Sequence, residues 1–455
     1  MRLRFKGEAN INSIHAGGRH RGLRVTAAAS LLAVLLAGCA APGGTTPAQT
    51  AVPVSTELGS SPVTITARVN EDQSALWEAL AEGFESENPS VTVELETEAF
   101  ATLQQNAPRY LSAQHTPDLL RLAAPGDAVK NDLLLNLDEY SEAYGWDEFP
   151  KSQLEQWTID GDGRVRGEGS LYAMGVGFGL VGVYYNKDKF EALGFDEPPA
   201  TLEEFESMLA QASAAGITPL IGNVSYLFQG VAQSLGAAET ISSWVFNQPG
   251  ASIDAADTID AAAKVQSWVE AGYFPRDFGS ADPNLDFGRF TSGESLFFHN
   301  GSWFAAGLDA TAPGAFSFFL LPPAALEDGY QTMAAPNAVV IPANAKHPNE
   351  AAAFLNWVNG ESARETLASV GGLVGGGSAD MPVPPTEPGT VFAETVAAFD
   401  AVTADDGIVD FLANATAGMA SATLDPQGDL LIAGQVTPQE YVARLQADYL
   451  VAVEQ

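Results

Sequence analysis

The stretch GLVGVYYNKD, Gly179–Asp188, is an apolar run that ends in a polar turn, which is the pattern of a buried strand. A short segment ending in glycine follows, and then a longer helix is predicted over 202–215. Thr201 precedes that helix and Glu204 lies three residues further on, which is the spacing of a capping box. The run 217–221 resumes as a strand, so this region alternates strands with helices, as α/β proteins do.

A strand, a helix and a second strand also open the folded part of the chain. Residues 63–69 alternate apolar and polar side chains, helical spacing follows with Ser74 as the predicted N-cap, and 91–95 forms the second strand. The loop 70–73 lies at the carboxyl end of the first strand, where open α/β sheets bind their ligands. Its polar side chains are therefore candidate ligand contacts.

Further motifs follow in order along the chain: 290–303, which ends in Gly301-Ser302-Trp303, then 338–342, 349–355 and 434–441. Together with 179–221, they resemble the family 1 extracellular solute-binding proteins, the substrate-binding lipoproteins of ABC importers that mostly take up carbohydrates. The motifs cover nearly the whole chain after residue 62, and their order is more specific than any one of them.

The resemblance implies an α/β, two-lobe periplasmic-binding-protein-like fold of type II, with discontinuous lobes joined by hinge strands. We place lobe 1 at 63–175 plus 325–372 and lobe 2 at 176–324 plus 373–455. The ligand cleft is expected between the lobes, which close over the solute by hinge motion. The protein is expected to be a monomer that delivers its solute to an ABC permease in the membrane.

The beginning of the chain has the pattern of a lipoprotein export signal. Arginines precede an apolar stretch, 25–37, that is too short to span a bilayer as a helix. Leu36-Ala37-Gly38-Cys39 resembles the bacterial lipobox, which implies a signal peptide over 1–38 and lipidation at Cys39. Residues 39–62 are rich in Ala, Pro, Gly, Ser and Thr and are predicted to form a flexible tether. These features predict an extracytoplasmic protein, lipid-anchored to the bacterial cell membrane.

Sugar recognition requires an aromatic face against the C–H side of a pyranose and planar polar groups for its hydroxyls. Trp303 occupies the place in the family motif where a tryptophan of the second lobe commonly stacks on the sugar. Tyr226 follows the strand that ends at Ile221 and matches a position where the family often has an aromatic residue. Both residues are predicted to touch the ligand.

Lobe 1 supplies three weaker ligand-binding candidates, Asn70, Glu71 and Arg121, at the ends of its predicted strands. Gly372 lies in the glycine-rich return of the chain and is expected to permit a close backbone approach to the ligand. The loop 123–127 lacks the aromatic residues that oligosaccharide-binding members often have there. This difference favours a mono- or disaccharide, or a ligand other than a sugar.

Composition limits the remaining possibilities. The formal net charge of −36 disfavours nucleic acid as a partner, and no local basic pocket for anions is evident in the sequence. With Cys39 as the only cysteine, neither a disulfide framework nor a thiolate metal site is available, and no cofactor, metal site or catalytic residue is predicted. A small neutral solute is therefore the expected ligand.

Alternatives to a sugar remain open at this point. The pair Tyr184-Tyr185 resembles the paired phenolates of two-lobe ferric-iron binders, although its position in the strand motif favours a structural role. A polyol or a peptide would suit the same fold. A secreted glycoside hydrolase is less favoured, because a chain with 57 acidic residues supplies carboxylate pairs by chance and no hydrolase motif accompanies them.

Overall fold

A computed structural model of the chain describes residues 52–279, 283–378, 386–405, 407–416 and 418–454. The predicted signal peptide, Cys39 and most of the predicted tether lie outside the described residues. The end of the predicted tether is described, and it packs on the folded body. Val54 and Leu58 contact the first hydrophobic core, and the Ser55 amide donates to Asn349 Oδ1 at 3.1 Å. Ordered contacts therefore begin before the predicted start at residue 63.

The strands build a mixed sheet at the centre of the molecule. Their bounds are β1 Val63–Asn70, β2 Val91–Glu98, β3 Leu119–Arg121, β4 Thr158–Ile159, β5 Ser170–Leu171, β6 Ala173–Asn186, β7 Thr218–Gly222, β8 Ser295–Gly301, β9 Phe316–Phe319, β10 Thr332–Val340 and β11 Ile408–Val409. Within the described residues, nine strands form one sheet in the order β2-β1-β3-β10-β6-β8-β7, while β9 pairs with β6 and β11 with β10. Strands β4 and β5 form a separate hairpin.

Strand β6 links the two halves of this sheet. Its first half, Ala173 to Leu180, pairs antiparallel with β10, and its second half, from Val181, pairs with β8 and β9. β1, β2 and β3 are mutually parallel on one side, and β7 is parallel to β8 on the other. The strand predicted over 179–188 is thus the second half of a longer crossing strand.

Helices cover the sheet on both halves. Their bounds are α1 Ser74–Glu87, α2 Phe100–Leu111, α3 Gly126–Lys130, α4 Asp138–Tyr144, α5 Lys151–Leu154, α6 Lys187–Ala192, α7 Leu202–Ala214, α8 Val224–Ser234, α9 Ala238–Val245, α10 Ala256–Glu270, α11 Pro283–Thr291, α12 Ala305–Thr311, α13 Pro348–Val358, α14 Glu361–Ser369, α15 Val391–Ala404, α16 Asp425–Ile432 and α17 Pro438–Glu454. No helix in the described part of the chain has the length and apolar character needed to cross a membrane.

Buried side chains collect in separate cores on the two sides of β6. The first core joins residues of β1–β3 with Trp146 and with Phe354 of α13. The second core surrounds Phe205 and Trp244 and is completed by Tyr441 of α17. Because each core combines segments distant in sequence, neither half is a continuous stretch of chain. The predicted lobe boundaries remain a prediction.

The helix starts predicted from capping residues were partly correct. Thr201 caps α7 as predicted, accepting from the Glu204 amide at 3.3 Å, while Glu204 returns its bond to the amide of Ala200 rather than of Thr201. The predicted N-cap role of Ser74 is wrong. A 3-10 turn over Glu71–Gln73 runs directly into α1, so Ser74 is already helical.

Candidate functional site

Three aromatic side chains from separate parts of the sequence form a cluster at the ends of the central strands. The rings of Trp303 and Tyr226 are 6.3 Å apart and nearly perpendicular, at 76°. Phe411 lies 6.4 Å from Trp303 and 5.5 Å from Tyr226, measured between ring centroids. We call Trp303, Tyr226 and Phe411 the aromatic cluster. The structure thus brings together the two aromatic residues predicted from the sequence and adds a third.

Trp303 is positioned by two glycines. It follows β8 in a short 3-10 turn, and its indole lies against Gly179 of β6 and Gly301 of β8. A Cβ atom on Gly301 would lie 2.0 Å from the indole Cη2, and one on Gly179 would lie 3.1 Å from Cε3. Because glycine has no side chain, these two positions leave the space that the indole occupies.

Replacing Gly301 with alanine should displace the Trp303 ring while the protein still folds. The backbone at Gly301 has φ of −80°, which alanine adopts readily, so the steric cost falls on the indole alone. We expect ligand affinity to fall by about tenfold, roughly 1.4 kcal/mol, measured by calorimetry. Gly288→Ala is the matched control, because no atom lies within 4 Å of its added methyl. Equal affinity in Gly301→Ala and Gly288→Ala would show that the Trp303 ring does not contribute to ligand binding.

Tyr226 is held by the start of α8. The Asn223 side chain caps this helix, and its Oδ1 accepts from the amides of Ser225 at 2.9 Å and Tyr226 at 3.1 Å. Burial raises the pKa of Tyr226 to about 12, with the nearby Asp425 carboxylate acting in the same direction. The phenol is therefore neutral at physiological pH and can donate a hydrogen bond.

Arg121 contributes a largely buried cation at the end of β3. Its Nη1 donates to the carbonyl of Ala338 at 3.2 Å, and its Nε has no hydrogen-bond partner in the described structure. Burial lowers the pKa of Arg121 to about 10, and the carboxylates of Asp72 and Asp410 partly oppose that shift. Asp72 follows β1 and Asp410 precedes Phe411, so carboxylates from both of these segments act on the Arg121 charge.

Asn70 and Glu71 lie beside this region but in different settings. Asn70 is buried, and its amide group is used within its own loop: Nδ2 donates to Asp72 at 2.8 Å, and Oδ1 accepts from Trp77 Nε1 at 3.4 Å. Glu71 is exposed at the start of the 3-10 turn. Asn70 therefore shapes the loop, whereas the Glu71 carboxylate is accessible from solvent.

Gly372 packs against the backbone next to Trp303 of the aromatic cluster. Its φ of +60° is favourable for glycine, and a Cβ atom there would lie 3.3 Å from the carbonyl oxygen of Ser302. The main chain at Gly372 thus approaches the segment that carries Trp303, and its approach to the ligand stays a prediction. Away from the cluster, Trp77 and Trp268 are buried, and Trp357 packs partly buried against the first core.

A cavity of about 740 Å³ lies near the aromatic cluster without including its rings. Its lining comes from the loop after β3, the tip of the β4–β5 hairpin, the turn after α9 and the segment beyond Phe411, and it includes Pro125, Lys130, Arg166, Asn247, Asn414 and Thr423. This volume falls within the range of small-molecule sites.

Both tyrosines of the pair considered as iron ligands make contacts within the protein. Tyr184 is fully buried and donates its hydroxyl to the carbonyl of Gly301 at 2.7 Å, and Tyr185 packs on Phe190 with ring centroids 4.5 Å apart. Among the described residues, no group of three or more His, Cys, Asp or Glu side chains is arranged to hold a metal ion.

His299 sits behind the cluster on β8 and is buried in a neutral form. Its Nδ1 has no hydrogen-bond partner within the described structure, and burial lowers its pKa to about 3. The unfolded chain therefore takes up a proton near pH 6.5, while the folded state resists it until about pH 3. Stability contributed by neutral His299 is complete above pH 6.5 and declines as the pH falls towards 3.

We expect His299→Gln to flatten the pH dependence of unfolding. In the wild type, this residue should remove up to about 1.4 kcal/mol of unfolding free energy per pH unit below pH 6. Urea titrations at pH 7, 6 and 5 measure the difference between the two proteins. The exposed His115→Gln is the control and should follow the wild type. Parallel curves for wild type and His299→Gln would contradict the assignment.

A curated relative aligns with most of the chain. A multiple sugar-binding protein of Streptococcus mutans is 25% identical over 319 residues, which span 66% of this chain and 72% of the relative.

Two solved structures show the same fold. A chitin oligosaccharide binding protein covers 86% of this chain and 99% of its own, with a TM-score of 0.69 and 18% identity. The GacH receptor of Streptomyces glaucescens, solved unliganded and in complex with acarbose, covers 87% and 99%, with a TM-score of 0.70 and 19% identity. These similarities confirm the predicted two-lobe, type II periplasmic-binding-protein-like fold.

A family model described as bacterial extracellular solute-binding protein matches residues 79–384, more than half of the chain. The match confirms the family predicted from the sequence motifs. It also confirms a location outside the cytoplasm and a binding rather than an enzymatic role, since this is a family of solute-binding proteins. The chain belongs to the bacterial extracellular solute-binding proteins.

Proposed function

We propose that this protein captures a carbohydrate between its two lobes and delivers it to an ABC permease. The observation that carries the proposal is the aromatic cluster, Trp303, Tyr226 and Phe411, together with the largely buried Arg121, whose charge is stabilised by Asp410, the residue before Phe411. Aromatic faces pack against the C–H side of a sugar, and a guanidinium offers several donors to its hydroxyls. The aromatic cluster and Arg121 lie on opposite sides of β6, as the closure of two lobes over a ligand requires.

The proposed roles differ among the candidate residues. Trp303 would stack on the sugar ring, and Tyr226 would donate its phenolic hydrogen. Arg121 and Glu71 would supply a donor and an acceptor for hydroxyl groups. Asn70 and Gly372 would act by shaping the site, because their contacts are made to the protein itself.

We further propose a mono- or disaccharide as the ligand. The loop 123–127 carries no aromatic side chain, so the aromatic cluster is a platform for few sugar rings. Relatives described as multiple sugar-binding and chitin oligosaccharide binding proteins support a carbohydrate in general. We propose lipidation at Cys39 as the membrane anchor and a monomer as the working form.

Two lobes that close over the ligand are part of this proposal. Residues 63–175 with 325–372 would move against 176–324 with 373–455, about the crossing strands β6 and β10. The separate cores on the two sides of β6 support such a division. Closure would bury the sugar from water and present one docking surface to the permease.

Calorimetry and thermal shift on the chain from Ala51 onward test the proposal, because 51–455 forms one compact unit. The panel contains glucose, maltose, raffinose, chitobiose, chitotriose, a polyol, a tripeptide and ferric citrate. We expect saturable binding of a mono- or disaccharide and no binding of iron. Saturable binding of the tripeptide or of ferric citrate alone would overturn the carbohydrate proposal. Binding of chitotriose with no disaccharide response would overturn the proposed ligand size.

A further inference from the structure

The β4–β5 hairpin belongs to the first core but extends towards the second half of the molecule. Ile159 and Leu171 on its strands are buried in the first core. At its tip, Gly163 lies so close to the Gly126 carbonyl that a Cβ atom would be 2.1 Å from that oxygen. In the turn, Asp160 Oδ1 accepts from the amides of Arg164 and Val165. The hairpin is therefore rigidly attached to the first half.

Arg166, beyond that turn, is buried in the second half. Its Nη1 lies 2.8 Å from Asp410 Oδ2, and its Nη2 donates to the carbonyls of Val245 at 2.9 Å and Asn414 at 3.2 Å. The guanidinium also covers the ring of Phe246 at 4.9 Å. The side chains of Arg166 and Asp410 are 7% and 0% exposed, so this ion pair is shielded from solvent and salt.

Asp410 connects this pair to the aromatic cluster. Its Oδ1 accepts from the Phe411 amide at 2.7 Å and from Asn414 Nδ2 at 2.7 Å. Gln229 holds the same segment, donating to the Asp410 carbonyl at 2.8 Å and accepting from the Leu412 amide at 2.9 Å. The main chain at Phe411 is thus fixed by the carboxylate that binds Arg166.

We propose that Arg166 and Asp410 form a latch that holds the two lobes together beside the ligand site and positions Phe411. Arg166 is a positioning residue, since it acts on the aromatic cluster through Asp410. The proposal rests on the lobe closure proposed above, because a latch is meaningful only if the lobes can separate. It would link the halves independently of the crossing strands.

The energetics of a buried ion pair suit such a latch. Attraction between the charges in a protein interior is nearly offset by the cost of removing both from water. Separating the lobes would return both charges to water, so the pair can open without a large penalty. Removing one partner leaves the other charge buried and unpaired, and this favours the separated state. The latch would therefore adjust the balance between open and closed forms, and with it the rate of ligand release.

Arg166→Met tests the latch in the chain from Ala51 onward. Methionine keeps an apolar stem against Phe246 and removes the charge. Arg164→Met is the matched control on the same hairpin, because Arg164 is exposed and its carbonyl, which accepts from Asn247, is retained. Arg166→Lys keeps a charge but cannot reproduce the forked contacts, so it should give an intermediate result and serves as the second variant if Arg166→Met does not fold.

Distances between spin labels report the lobe arrangement without ligand. This part of the chain has no native cysteine, so Glu142→Cys on α4 and Gln211→Cys on α7, both exposed, place one label on each half. We expect the distance distribution to broaden and shift in ligand-free Arg166→Met relative to wild type and Arg164→Met. An unchanged distribution in both Arg166 variants overturns the latch.

Ligand release gives a second readout with maltose and raffinose as probes. We expect release from Arg166→Met to be ~10-fold faster than from Arg164→Met. A fall in melting temperature with unchanged release and unchanged label distances would mark the pair as merely structural and overturn the proposal. If neither sugar binds the wild type, the carbohydrate proposal fails separately, and the ligand-free distances alone decide on the latch.

Discussion

Trp303→Ala should strongly weaken binding of the proposed sugar and leave the protein folded. The indole rests on Gly179 and Gly301 and meets Tyr226 and Phe411 edge-on or tilted, so one of its faces and its rim complete the aromatic cluster. Truncating an aromatic anchor at the centre of a binding site typically costs 2 kcal/mol or more. We therefore expect affinity to fall at least ~30-fold, measured by calorimetry with the sugar that binds best to the wild type.

The control for this change is another tryptophan outside the cluster. Trp357 packs against Phe84 in the first core, with ring centroids 6.0 Å apart, so Trp357→Phe removes one indole far from the proposed ligand. Its affinity should equal that of the wild type, and Trp303→Phe should retain part of the binding. Wild-type affinity in Trp303→Ala would exclude Trp303 from the site, whatever ligand the protein takes.

Asp118→Ala should be among the most destabilising single changes in the first half. Asp118 is buried at the start of the β3 region, and its carboxylate accepts from three backbone amides: Thr66 at 3.0 Å, Lys346 at 3.0 Å and His347 at 2.9 Å. It thereby joins β1 to the turn that leads into α13. Alanine would leave these donors without their acceptor, at a cost of about 3 kcal/mol or more in unfolding free energy.

Urea denaturation measures this loss, with two variants for comparison. Asp118→Asn keeps the size of the side chain and one carbonyl oxygen, so it should fall between alanine and the wild type. Asp162→Ala removes an exposed carboxylate in the hairpin turn and should change the midpoint little. A midpoint for Asp118→Ala within error of Asp162→Ala would show that water replaces the carboxylate without cost.

Elements and their order were accessible from the sequence, because periodicity and turn residues report local structure. Trp303 and Tyr226 were each predicted as ligand contacts from their places in the family pattern, and the strands that precede them are neighbours in the sheet. Phe411 could not be predicted, because it follows a strand of only two residues that has no readable period. Its one signal is the stretch 408–412, which is apolar except for Asp410 and equally suits a core strand.

The predicted polar contacts illustrate a different limit. The position of Asn70 at a strand end was correct, but sequence gives no account of which neighbours saturate its amide. The ion pair of Arg166 with Asp410 joins positions 244 residues apart, and nothing in the spacing of either residue indicates the other. Such long-range pairs are decided by tertiary packing alone.

The crossing strand β6 has a consequence for how this chain acquires its structure during synthesis and export. Ala173 pairs with Val340, and the first core needs Phe354 and Leu367, so the first half cannot close until most of the chain has been made. The second core is completed later still, because it includes Tyr441 and Leu445. Contacts between such distant residues form slowly. A nascent chain interrupted after β9 would lack part of both cores, which disfavours folding before synthesis is complete.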